Sequence, residues 1–312
     1  MGTISFVILN YKAYEETAAC AASILKTQTY PDIQIVIVDN GSGNDSVEQL
    51  KARFCGEERV HIIASEKNLG FAQGNNLGIA YVREHFSPDF VVAANSDIIF
   101  EQPDYCEKLV EIYRRKPFAV LGGDIVDASR TQHFNPVARD RVYTVPYMRK
   151  QALISELKAW MFRVIKLFHL KKAVVGRYGI VTNEAGVDVC DGSKNLTTRE
   201  VEGKSVAADS RIGEELEGVL LHGCCLVFSR DFFAELDGFW QETFLYAEEE
   251  ILYYLAKKKG LRLLYTPEVT CMHKEAVTTK QLYKDFCDAK IFYFSNVAKS
   301  YRKFLKLMRE YE

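Results

Sequence analysis

Three adjacent polar residues, Asn95-Ser96-Asp97, interrupt an apolar run that starts at Phe90 and resumes through Ile98-Ile99-Phe100. A carboxylate at the end of a buried strand sits at the rim of a sheet, where open α/β sheets take their ligands. There Asp97 could hold a divalent cation, the usual way to neutralise a diphosphate leaving group. A polar strand end can equally be a plain turn. Similar clusters follow other apolar runs: Asn10-Tyr11-Lys12 after Ile4–Leu9, Asp39-Asn40-Gly41-Ser42 after Ile33–Val38, and Asn68 after Val60–Ile63. Loops at the carboxyl edge of a parallel sheet converge on one crevice, so these side chains are candidates for a common ligand site. Gly70 and Gly74 could bring the N–H groups of a following helix near a phosphate, or could only relieve crowding.

The elements that must position these residues can be read from periodicity. The runs at 4–9, 33–38, 60–63 and 90–100 are apolar on both faces, as in a sheet covered by helices on each side. Helical patterns separate them, from about Ala13 to Thr27, Ser46 to Phe54, and after Asn76 to about His85. The order β-α-β-α-β-α-β predicts a mainly parallel sheet flanked by helices. Further strands are expected at Ala119–Gly123, Gly218–Phe228 (interrupted by His222-Gly223) and Leu261–Tyr265, with a last edge strand at Val269–His273. A helix is expected from Glu248 to about Lys259, and a helical tail from Lys280 to Glu312. Three acids at the start of that first helix, Glu248-Glu249-Glu250, also have a bland cause, their favourable interaction with the helix dipole.

Between about Asp127 and Glu217 the pattern loosens, apart from Met148–Lys172. There Ile154, Leu157, Met161, Val164 and Phe168 recur at helical spacing, with Trp160 and Leu167 broadening the face. Lys150, Lys158, Arg163, Lys166, Lys171 and Lys172 oppose a single Glu156. Such a helix either lies on an anionic membrane surface or packs on the core or on a second subunit.

The chain has 312 residues, 48% hydrophobic and 26% charged, enough for a large core. A formal net charge of −2 gives no reason to expect a nucleic-acid partner. Eight cysteines without a Cys-x-x-Cys pair read as reduced, cytosolic thiols rather than a disulfide framework or zinc site. No signal peptide and no membrane-spanning run is evident, so the expected setting is the cytoplasm, including the inner face of the cell membrane.

Val7-Ile-Leu-Asn10-Tyr11, Val36-Ile-Val-Asp39-Asn40-Gly41-Ser42 and Asn68-Leu-Gly70-Phe71-Ala-Gln-Gly74-Asn75-Asn76 together resemble the nucleotide-sugar half of family 2 glycosyltransferases. Asn95-Ser96-Asp97 occupies the place of their Asp-x-Asp motif. Gly223-Cys-Cys-Leu-Val, Gly238-Phe239, Phe244-Leu-Tyr246-Ala-Glu248-Glu249 and Pro267-Glu-Val-Thr-Cys-Met-His273 resemble the acceptor half. The subgroup most similar is that of rhamnosyltransferase-like enzymes of bacterial surface polysaccharides.

The resemblance implies a GT-A-like domain over residues 1–275, comprising a nucleotide-sugar half (1–126), an insertion with the basic helix (127–217) and an acceptor half (218–275). A helical extension (276–312) follows. It also implies an inverting, metal-dependent transfer of a sugar to a cell-surface glycan or lipid-linked oligosaccharide. The donor would be dTDP-rhamnose or a UDP-sugar. Leu9, Asn10, Tyr11, Asp39, Asn40, Ser42, Asn68, Gly70, Phe71, Asn76, Asn95 and Ser96 would line the donor site. Asp39 would accept from a pyrimidine N–H or a ribose hydroxyl, or serve only the turn before Gly41.

Asp97 and His273 would bind Mn2+ or Mg2+. Glu249 would be the general base, with Glu248 as the alternative, and His222, Gly223 and Tyr246 would line the acceptor cleft. Two positions depart from the family pattern: Asn95 replaces the first acid of the metal motif, and Glu249 stands where Asp is usual. A binding-only family member and a nucleotidyltransferase are the rival readings. Nucleotidyltransferases would need a glycine-rich phosphate loop after the first strand, and Asn10-Tyr11-Lys12 has no glycine. A homodimer is also compatible, through the basic helix or the tail.

Overall fold

The computed structural model describes residues 2–137, 142–168, 213–274 and 285–311. Lys171, Lys172, Cys190, the first residues of the expected tail (280–284) and most of the loosely patterned segment lie outside the described residues. Those described fall into two compact units. One comprises residues up to 142, 213–244 and 248–274; the other comprises 143–168, 245–247 and 285–311.

The first unit is built on one sheet. β1 (Ile4–Asn10), β2 (Ile33–Asp39), β3 (Val60–Ala64) and β4 (Phe90–Asn95) form its parallel part. β5 (Ile98–Ile99), β6 (Val120–Val126), β7 (Leu216–Glu217), β8 (Cys225–Ser229) and β9 (Leu263–His273) complete it, in the order β3-β2-β1-β4-β8-β6-β9-β5, with β7 also on β9. β8 runs antiparallel to both β4 and β6, so the sheet is mixed beyond β4 rather than parallel throughout.

Helices α1 (Tyr14–Thr27), α2 (Ser46–Arg53) and α4 (Tyr105–Arg115) supply Ala21, Ile24, Leu50, Leu109 and Ile112 to a core with Phe6, Ile8, Ile35, Ile37 and Val92. Alternate strand residues meet α3 (Phe71–Phe86) instead. A Cβ at Gly78 would lie 2.4 Å from Val7 Cγ1, so the missing side chain is what lets α3 sit close on the sheet. Burial on both sides is why β1, β2 and β4 read as unbroken apolar runs.

Two expectations are corrected here. β9 continues through Thr266-Pro267, because the pairing with β6 shifts between Gly123↔Thr266 and Asp124↔Thr270 and the bulge takes up the proline. Nor is β9 an edge strand, since β5 pairs its far end, Ile98 opposite His273.

The short helix α6 (Arg230–Phe233) follows β8, and α7 (Glu248–Lys259) precedes β9. The second unit holds α5 (Val145–Leu167) and α8 (Phe286–Glu310), packed along each other. Phe162 stacks on Phe294 at 5.8 Å and meets Phe286 edge-on at 5.9 Å. No described helix is long and apolar enough to cross a membrane.

Candidate active site

At the carboxyl ends of β1 and β2, Asn10 is fully buried and its amide donates to Asp39 Oδ2 at 2.6 Å. Asn10 Oδ1 accepts from Thr17 Oγ1 (2.8 Å), which ties it to α1. Ser42 donates to Asp39 through its backbone N–H (3.0 Å) and its hydroxyl (2.7 Å), and its Oγ accepts from Lys12 N. Asp39 is thus a buried carboxylate fixed by a polar shell. Asn40 plays the same part for the next loop: Nδ2 donates to Asn68 Oδ1 (3.2 Å) and Gly70 O (3.0 Å), and Oδ1 accepts from Leu69 N (2.9 Å). Leu9 and Tyr11 are half-buried beside these groups in sequence, and Lys12 Nζ lies 5.4 Å from the Tyr11 ring centroid.

α3 begins at Phe71, so Gly74, Asn75 and Asn76 lie within the helix rather than ahead of it. Gly74 admits Leu9 Cδ1 and Asn40 Nδ2, which a Cβ would meet at 2.7 and 3.0 Å. Gly70 has φ +83°, and a Cβ there would lie 2.1 Å from the Phe244 carbonyl, which accepts from Phe71 N at 2.7 Å. Asn76 spends both ends of its amide on the Phe239 backbone, at 2.7 and 2.8 Å. Gly70, Phe71 and Asn76 therefore join the Asn68–Asn76 motif to the loop that leads towards α7.

Asn95 ends β4, and its N–H donates to Cys224 O (2.8 Å). Ser96 and Asp97 are buried, with 7% and 8% of their surface exposed. The β5–β9 pairing places Asp97 Oδ2 3.2 Å from His273 Nε2, and Lys274 N donates to Asp97 O. The His273 ring packs edge-on to Phe134 (5.6 Å) and lies 6.2 Å from the ring of His222. His222 N donates to Asn135 Oδ1 (2.7 Å), and the Asn135 amide donates to Gly123 O (2.9 Å). Phe134 and Asn135 were not found from the sequence; they sit in the loosely patterned stretch, where only the Asn-Pro dipeptide marks a loop.

Glu249 Oε1 accepts from Gly223 N at 3.2 Å, and a Cβ on Gly223 would come within 2.4 Å of that oxygen. Burial, then the charges of Cys225, Asp97 and Glu249, push the Cys224 thiol well above its ordinary range. Glu248 is different. It is 5% exposed, and burial, with Glu249 adding repulsion, pushes its carboxyl up to about 8. Tyr246 belongs to the second unit, 4.7 Å from the Tyr293 ring; it and Ala247 both have left-handed φ, near +72° and +71°.

Residues 5–174, more than half of the chain, match the family model described as Glycosyl transferase family 2. The chain belongs to this family. It is 31% identical over 121 residues to Glycosyltransferase GlyG of Streptococcus pneumoniae serotype 4, covering 39% of this chain and 38% of that protein. To the low-salt glycan biosynthesis hexosyltransferase Agl10 of Haloferax volcanii it is 26% identical over 124 residues, covering 40% and 37%. The chain thus spans less than two-fifths of the length of these curated relatives.

The crystal structure of GalNAc-T7 with UDP, GalNAc and Mn2+ is similar at a TM-score of 0.54 and 12% identity, covering 88% of this chain and 44% of that one. That likeness is one of fold. With the family 2 match, the sheet order and flanking helices are GT-A-like.

Among the described residues no group of three or more His, Cys, Asp or Glu side chains is placed to hold a metal. Asp97 and His273 offer two donor atoms 3.2 Å apart. Neighbouring ligands on an octahedral Mg2+ or Mn2+ lie about 3 Å apart, and such ions commonly take one or two protein ligands plus phosphate oxygens. The pair fits that role.

Proposed function

We propose that this family 2 protein is an inverting, metal-dependent glycosyltransferase. It would move a hexose from a nucleoside diphosphate sugar, dTDP-rhamnose or a UDP-sugar, to a growing cell-surface glycan or its lipid-linked precursor on the cytoplasmic side. The observation that carries the reading is the Glu249 carboxylate held on the Gly223 N–H, in a unit where Asp97 lies 3.2 Å from His273. In this reading Asp39 and Asn68 hold the nucleoside. Asp97 and His273 hold the cation, which supplies charge neutralisation of the diphosphate. Glu249 takes the proton of the acceptor hydroxyl as its oxygen bonds to the anomeric carbon and the bond to the diphosphate breaks.

A buried acid near pKa 8 keeps its proton at neutral pH, so Glu248 is the poorer base. One displacement with one base inverts the anomeric centre, unlike retaining glycosidases, which use two carboxyls in two steps. The relatives named as glycosyltransferase and hexosyltransferase support the reaction class.

The test is nucleotide release over a panel of UDP-, dTDP- and GDP-sugars with glycan acceptors, with Mn2+ or EDTA, on wild type and Glu249→Gln. Cation-dependent release from one donor, lost in the variant, is expected. Donor binding without release would leave the binding-only reading, which the Asn95 substitution favours.

A further inference from the structure

The second unit carries a surface that the proposed chemistry does not use. α5 turns Met148, Ala152, Ser155, Ala159, Phe162 and Ile165 inward, so its small residues face its packing partner α8. Four further large apolar residues are on the other side. Leu153, Leu157, Trp160 and Leu167 are 56%, 57%, 63% and 71% exposed. Their spacings of four, three and seven residues put them on one stripe of the helix. A surface helix ordinarily buries its apolar stripe, and a contiguous exposed one marks an interaction site.

Charge indicates the partner. Within α5 there are five Lys and Arg residues and one acid, Glu156, which is paired with Arg302. Arg149 and Lys150 are exposed beside the stripe. Lys158, Arg163 and Lys166 instead lean on α8, at Phe294, Ser295 and Asp288. The described residues of this unit hold eleven Lys and Arg against four Asp and Glu, although the whole chain is at −2. A second copy docking the same face would set basic residues against basic residues. An anionic lipid surface complements both the charge and the Trp-Leu stripe.

We propose that the Leu153–Leu157–Trp160–Leu167 stripe of α5, with Arg149 and Lys150, docks the protein on a membrane surface containing anionic lipid. This does not depend on the transfer reaction proposed above. The test is co-sedimentation of the full chain with phosphatidylcholine vesicles, with and without phosphatidylglycerol. Binding only to the anionic vesicles is expected, weakening as salt rises. Leu157→Ser with Trp160→Ser should lower partitioning at least about tenfold, since each apolar side chain inserted adds to affinity. Both side chains are exposed, so the melting temperature should hold. Arg149→Gln with Lys150→Gln should remove the preference for phosphatidylglycerol. Failure of the wild type to sediment with anionic vesicles would overturn the proposal, as would unchanged binding by the Ser variant. A dimer in solution that this variant converts to monomer would also overturn it, assigning the stripe to self-association.

Discussion

Gly223→Ala tests the assignment of Glu249 without touching the carboxylate. The added Cβ would lie 2.4 Å from Glu249 Oε1, 2.8 Å from Cδ and 2.9 Å from Cγ, against an ordinary contact limit of 3.4 Å. Closing that gap requires the carboxylate to move by about 1 Å, away from the Gly223 N–H that now binds it at 3.2 Å. The obstacle is the far part of a flexible side chain, so the fold can absorb the change cheaply. The reaction cannot. A misplacement of about 1 Å in a catalytic group costs roughly 100-fold in rate, about 2.7 kcal/mol of barrier.

Steady-state nucleotide release on the preferred donor and acceptor should therefore show kcat down roughly 100-fold, with the donor KM and the melting temperature nearly unchanged. Adding Glu249→Asp to the Gly223→Ala variant shortens the arm and should recover part of the loss. A Gly223→Ala enzyme with wild-type kcat would refute the claim that Glu249 acts from this position.

The acid Glu248 gives a stability test. Its folded carboxyl, near 8, exceeds its ordinary 4.5, so the folded state holds a proton that the unfolded state has lost between those values. Stability should then fall as pH rises from about 4.5 to 8. Glu248→Gln should flatten that fall and gain a few kcal/mol at pH 8 by urea unfolding; an unchanged slope would count against the buried acid. Gly70→Ala meets the Phe244 backbone at 2.1 Å with φ +83°, so a loss above about 2 kcal/mol, or no soluble protein, is expected in thermal unfolding. Asp97→Asn should weaken Mn2+ binding in the presence of nucleotide roughly tenfold or more by calorimetry, and equal affinity would remove Asp97 from the cation site.

What was legible in the sequence was whatever burial imposes on neighbouring residues. β1, β2 and β4 are covered on both faces, so their runs and polar ends could be read directly, and Asp39 and Asp97 with them. Contacts made far along the chain were not legible from periodicity, and the closeness of Asp97 and His273 came only through the family resemblance. β5 has two residues, too few to show a period, yet its pairing with β9 brings His273 to Asp97. Pro267 hid the continuity of β9 because the bulge that accommodates it depends on the partner strand. α5 misled in another way. Hydrophobic spacing picks out Ile154, Met161 and Val164, which are half-buried, together with the exposed Leu157. Packing against the aromatic residues of α8 centres on a neighbouring side that mixes Ala152, Ser155 and Ala159 with Met148, Phe162 and Ile165. Periodicity measures side-chain type, and complementarity of size with a partner lies outside it.

Asn95, where the family resemblance has an acid, bears on how the cation would be held. The geometry does not need a carboxylate there: the Asn95 backbone is fixed by β4 and by Cys224 O, and Asp97 is set by the pairing of Ile98 with His273. What the substitution removes is charge. A site with one carboxylate and one imidazole binds a divalent ion less strongly than one with two carboxylates, because hard cations favour anionic oxygen donors. Such an ion would be held mainly when the diphosphate supplies the missing oxygens, so cation and donor should bind together and each raise the other's affinity by the same factor.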